Sequence, residues 1–179
     1  MITLKNIKTG VDFVGNCTTV DWDNLIKDLE NHVPRLRPPT KSSNTLTEIE
    51  NLWNEVGYKG KPDGGTAEWQ MYDAGECFDK SIVDTIIEFA EIPHYTYAWI
   101  SKIMPGYCAP PHFDVMKSDK TIHRMHVYPV DAQMGHVFYV GDQYITDYKK
   151  GDVYVWRDPL AWHAGMNCGL APKYMLNIY

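Results

Sequence analysis

The chain has 179 residues, of which 44% are hydrophobic and 22% charged, and a formal net charge of −6. That length suits one domain with a substantial buried core, and the acidic balance removes any general attraction to nucleic acid. No window approaches the eighteen or so apolar residues of a membrane span, and the N-terminal residues lack the basic-then-apolar order of a secretory signal. The expectation is a cytoplasmic protein with neither membrane nor nucleic-acid partners. Cys17, Cys77, Cys108 and Cys168 form no CxxC pair and are expected as reduced thiols.

In chain order, Leu25, Ile26 and Leu29 predict a helix within Val20 to Val33, capped near Asp21. Leu46, Ile49, Leu52 and Trp53 predict a second over Thr45 to Val56, and Ile82 to Phe89 a third over Lys80 to Ala90. Pro- and Gly-rich loops separate the first two and follow the second. From Tyr95 the texture changes to short β-type runs: Tyr95 to Met104, Arg124 to Val130, Gly135 to Val140, Gln143 to Tyr148, Asp152 to Arg157, Trp162 to Met166 and Lys173 to Tyr179. Val140-Gly141-Asp142-Gln143 reads as a hairpin turn and Lys149 to Asp152 as another. The expected architecture is mostly β with N-terminal helices. Residues 1–94 form a helical, irregular preface and 95–179 a double-stranded β-helix, the cupin-like jelly-roll, within one domain of residues 1–179.

Against that frame, His112-Phe113-Asp114 follows Pro105-Gly106 and Pro110-Pro111, which are read as ending a strand. On an extended strand residues i and i+2 share a face, so His112 and Asp114 can grip one metal while Phe113 points away. His163, in a later strand, supplies a third ligand. Two histidines and one carboxylate on one face of an octahedral ion leave positions open, the donor set of non-haem Fe(II) oxygenases. Lys173, ten residues beyond His163 and in phase with Met175, places a point charge where the second carboxylate of a 2-oxoacid needs one. Cys108, Cys168, His32, His94, His123 and His136 are expected to be packing, surface or structural residues.

The run Ser101 to His112, with Arg124-Met125-His126, Gly151-Asp152, Asp158 and His163, resembles the aspartyl/asparaginyl β-hydroxylase branch of the Fe(II)/2-oxoglutarate oxygenases over residues 95–179. The resemblance implies a double-stranded β-helix oxygenase core with Fe(II), 2-oxoglutarate and O2 as reaction components and ascorbate as a supporting reductant. It implies Ser101 and Lys173 on the far carboxylate of 2-oxoglutarate, Arg124 and His126 on the metal-side carboxylate, and His112, Asp114 and His163 as metal ligands. Asp114 stands where the best-known members of that branch have a non-ligand, and Lys173 where they use arginine, although lysine occurs there in prolyl hydroxylases. The expected activity is hydroxylation of an Asp, Asn or Pro side chain in a protein or peptide, with a small amino acid as another possible substrate. A metal cupin that does not use 2-oxoglutarate, and a metal-free jelly-roll binding module, are the competing readings.

Overall fold

A computed structural model describes residues 10–36, 51, 69–112, 124–156 and 161–179. Its strands are β1 (Val11–Asn16), β2 (Arg35–Leu36), β3 (Trp69–Asp73), β4 (Ala98–Ile103), β5 (Tyr107–His112), β6 (Arg124–Val127), β7 (His136–Val140), β8 (Gln143–Ile145), β9 (Asp152–Trp156), β10 (His163–Asn167) and β11 (Lys173–Ile178). They form two sheets with antiparallel neighbours, a larger one in the order β1-β9-β6-β11-β4-β3-β2 and a smaller one in the order β5-β10-β7-β8. This is the expected jelly-roll arrangement, and each of the seven strands predicted from Tyr95 onward is present. The preface adds β1, β2 and β3 to the large sheet, and β5 is a further strand that sequence reading passed over. The predicted helix over Thr45 to Val56 and the segment 113–123 lie outside the described residues, apart from Asn51.

Two helices cover one face of the large sheet, α1 (Trp22–Leu29) and α2 (Lys80–Phe89). Asp21 caps α1 by accepting from Asn24 N at 3.1 Å, and Asp79 caps α2 by accepting from Ser81 N at 2.9 Å. Trp22, Leu25 and Leu29 of α1, with Val83 and Ile86 of α2, pack on Ile100, Val127, Val155, Leu176 and Ile178. Alternate residues of the same strands face the other way. On β11, Tyr174, Leu176 and Ile178 face the helices while Met175 faces a second core between the sheets, with Tyr128, Phe138, Tyr148 and Trp156. The period of two thus divides the large sheet into a helix-facing side and a side that looks into the jelly-roll.

The turns follow their residues. Pro105-Gly106 turns β4 into β5, with Gly106 at φ 84° and Tyr107 N donating to Met104 O at 3.2 Å. Gly141-Asp142 is the two-residue hairpin loop of β7 and β8, where Val140 pairs with Gln143. Among the described residues no helix is long and apolar enough to cross a membrane.

Candidate metal and anion site

A cleft opens between the sheets, lined from the large sheet by Trp99, Ser101 and His126 and from the small sheet by His112, His163 and Gly165. The cavity itself is narrow, about 30 Å³, space for one or two waters.

His112 and His163 are cross-strand partners on β5 and β10, with ring centroids 4.3 Å apart. A break in register brings them together. Gly165 pairs with Ala109, yet His163 pairs with His112, so β5 has one residue more than β10 between the two pairs. Ala109 lines the cleft; on a regular strand Pro111 would share its face and His112 would point away. The extra residue reverses that parity and turns His112 inward. The bulge falls on Pro110-Pro111, which have no N–H to give to a ladder, and among the described residues β5 is the edge strand of its sheet, where prolines are tolerated. The two prolines therefore lie inside the strand, contrary to the reading that they end it.

His163 Nδ1 lies 3.0 Å from Ala161 O. A carbonyl can only accept, so Nδ1 carries the hydrogen and Nε2 of the neutral ring keeps its lone pair, the tautomer a metal ligand needs. Asp114 lies outside the described residues, and among the described residues no group of three His, Cys, Asp or Glu side chains is placed to hold a metal. The two histidines present fit a metal in position and, for His163, in tautomer.

His126 is almost fully buried, wedged edge-on against Phe138 at 4.3 Å and Trp156 at 4.4 Å. Burial first, then the charges of His163, Lys173, Arg124 and His112, push its titration well below the ordinary histidine range, so it is neutral at pH 7. Among the described residues its ring nitrogens have no hydrogen-bond partner. Arg124 is fully buried with its guanidinium 5.1 Å from the Tyr179 ring centroid, behind the cleft wall.

Lys173 is fully buried and donates to Val137 O. Among the described residues no carboxylate pairs with it, and burial pushes its ammonium down to about 7. A Cβ on Gly165 would meet Ile103 Cδ1 at 3.1 Å and Lys173 Nζ at 3.8 Å, which puts the ammonium beside a residue that lines the cleft. Ser101 Oγ accepts from Trp99 Nε1 and from Asn177 Nδ2, each at 3.0 Å.

Of the residues expected to act, Ser101, His112, His126 and His163 line one cleft, Lys173 borders it and Arg124 backs it. Sequence reading missed Asn177 and Gly165, although alternation from Lys173 and His163 assigns both to the inward face. Trp99 also lines the cleft. Of the residues given bland roles, His136 is structural, held between Tyr148 Oη and Ala171 O at 3.0 Å each, His32 and His94 are exposed, and Cys168 is exposed rather than packed.

No protein-family model matches the chain, and no curated protein matches it. Solved structures do. AviO1 from Streptomyces viridochromogenes Tue57 is 12% identical over 96% of this chain and 89% of its own, with a TM-score of 0.51. The viral collagen prolyl hydroxylase of Paramecium Bursaria Chlorella virus-1, solved as its 2OG complex, is 16% identical over 76% and 89%, with a TM-score of 0.49. A predicted oxalate decarboxylase from Thermotoga maritima is 15% identical over 62% and 77%, with a TM-score of 0.40. What the chain shares with AviO1 at that identity is the fold.

Proposed function

We propose that the chain is an Fe(II)- and 2-oxoglutarate-dependent dioxygenase that hydroxylates a side chain, Asp, Asn or Pro, in a protein or peptide. One observation carries the reading: a buried lysine with no carboxylate partner among the described residues borders the same cleft in which two histidines from neighbouring strands converge. A structural site has little reason to bury an ammonium with only a carbonyl to meet it among the described residues, whereas a site for a dianion uses one.

In this reading His112, Asp114 and His163 hold the metal, and the Nδ1–H bond to Ala161 O fixes the His163 ring for the task. With Fe(II), 2-oxoglutarate and O2 bound, the site supplies an oxidant able to hydroxylate an unactivated C–H bond, with succinate and CO2 as coproducts. The chain's own groups bind, orient and exclude water. Lys173 and Ser101 hold the far carboxylate; neutral His126 and, from behind the wall, Arg124 serve the metal-side end. Phe138 and Trp156 close the inner wall with apolar rings and keep bulk water from the charged groups. A five-carbon diacid needs more room than the cavity has, and Met175, unbranched and opposite Ser101, is the wall residue best suited to yield.

Purified protein supplied with Fe(II) and ascorbate is expected to bind 2-oxoglutarate and to convert it slowly to succinate without substrate. Incubation with a peptide library should yield a peptide heavier by one oxygen, read by mass spectrometry. Protein that neither binds nor turns over 2-oxoglutarate overturns the proposal. Metal-dependent activity that survives Lys173→Ala at undiminished rate points instead to a metal cupin that does not use the diacid.

A further inference from the structure

Two thiols that the cleft does not use stand on the far side of the small sheet. Cys108 on β5 pairs with Met166 on β10, and both face away from the cleft, which their strand neighbours Ala109 and Gly165 line. Cys168 carries the β10 ladder one residue further, its N–H donating to Gly135 O at 2.8 Å. Alternation sets it on the same outer face, two residues beyond Met166. Cys108 and Cys168 are therefore diagonal neighbours on adjacent strands. Both are free thiols, Cys168 exposed and Cys108 half-buried. Burial first, then the charge of a Cys168 thiolate, pushes the Cys108 thiol up, so the two sulfurs lie within electrostatic reach.

Their spacing has a consequence for the histidines. Diagonal neighbours stand about 7–8 Å apart between Cα atoms, whereas a disulfide holds its Cα atoms within about 6.8 Å. Joining the two sulfurs therefore draws β5 toward its own start, along β10 in the direction of Cys168. β5 can slide because, among the described residues, β10 is its one neighbour in the sheet. The slide strains one bond at that end, from Gly106 N to Asn167 O at 2.8 Å. Between Cys108 and His112 stand Ala109, Pro110 and Pro111. Two prolines with fixed φ leave few torsions to absorb the pull, so it reaches His112 and takes it from its place opposite His163.

We infer that Cys108 and Cys168 are a modification site, at which peroxide joins them in a disulfide that parts His112 from His163. The Cys168 sulfur attacks one peroxide oxygen, the O–O bond breaks, and hydroxide leaves with the thiol proton as water, giving a sulfenic acid. The Cys108 sulfur then attacks the Cys168 sulfur. The S–S bond forms, the S–O bond breaks, and hydroxide leaves with the Cys108 proton as a second water. Two thiols lose two electrons and one peroxide gains them. The effect on the histidines rests on the proposed reading of them as metal ligands; the cross-link does not.

The test treats the full chain with hydrogen peroxide, maps its peptides by mass spectrometry without reductant, and measures Mn(II) binding by equilibrium dialysis before and after. Peroxide should yield a peptide pair joined through Cys108 and Cys168, lighter by two hydrogens than the separate peptides, and weaken Mn(II) binding at least about tenfold. Dithiothreitol should reverse both changes. Cys168→Ser, outside the cleft, should bind Mn(II) as the wild type does and keep that affinity after peroxide. Cys108→Ser carries the same test should Cys168→Ser fail to fold. Thiols that peroxide leaves unjoined overturn the inference, and so does a joined protein that binds Mn(II) undiminished. Reduced wild-type protein that takes up no Mn(II) overturns the metal reading, while the joined or separate peptides still decide the thiol pair.

Discussion

A lysine that titrates near 7 instead of near 10.4 reverses the usual sense of its coupling to folding. Between those values the unfolded chain holds a proton that the folded chain does not, so stability falls as pH drops through that window and is level with respect to this group below about 7. A bound dianion has the opposite preference, because it favours the charged ammonium. We predict that 2-oxoglutarate affinity is highest at or below pH 7 and declines above it, with proton uptake on binding visible as a buffer-dependent calorimetric enthalpy. Lys173→Arg, always charged, should flatten that pH profile, and Lys173→Met should cost at least about tenfold in affinity at pH 6.5. The two histidines make a separate prediction: His112→Ala or His163→Ala should abolish stoichiometric metal uptake in equilibrium dialysis. Full uptake by both variants would remove them from the ligand set.

At the scale of elements, β5 shows where local reading stops. Two consecutive prolines normally end a strand, and by that rule His112 belongs to a loop. Edge position makes the prolines tolerable, and their missing amides coincide with the bulge that turns His112 inward. Edge position and register depend on partners dozens of residues away, so no local pattern in the sequence announces them. The same holds for β1 and β3, which are strands because β9 and β4 pair with them. By contrast β4 and β11 were legible, since alternation and cross-strand register agree and place Ser101 and Lys173 on one face. Deleting Pro111 should restore regular pairing, turn His112 away and lose metal uptake while the β-type circular dichroism spectrum persists. Asn167 ties the β10–β11 turn to β4. Its Nδ2 donates to Ile103 O and Ala171 O, each at 2.8 Å, and its Oδ1 accepts from Gly169 N at 3.0 Å. Asn167→Ala should therefore cost about 1–3 kcal/mol in denaturant unfolding, and a neutral result would show that the turn holds without it.

Over the whole molecule, the large sheet serves two cores at once, one against the helices and one inside the jelly-roll, so damage to either should be separable. Leu176, fully buried on the helix side, is the cleanest probe: Leu176→Ala should lower stability by about 2–5 kcal/mol and leave 2-oxoglutarate affinity nearly unchanged. A large loss of affinity at retained fold would tie the two faces together. The prolines of β5 reach further still. An exposed sheet edge ordinarily offers its free amides to any extended chain that arrives, and enzymes that act on peptides can use such an edge as a guide rail. Here Pro110 and Pro111 beside His112 offer no N–H, so that stretch of β5 has fewer backbone donors for a polypeptide to pair with. Under the proposed function, we predict that a peptide substrate is held by its side chains at the mouth rather than by strand pairing along β5.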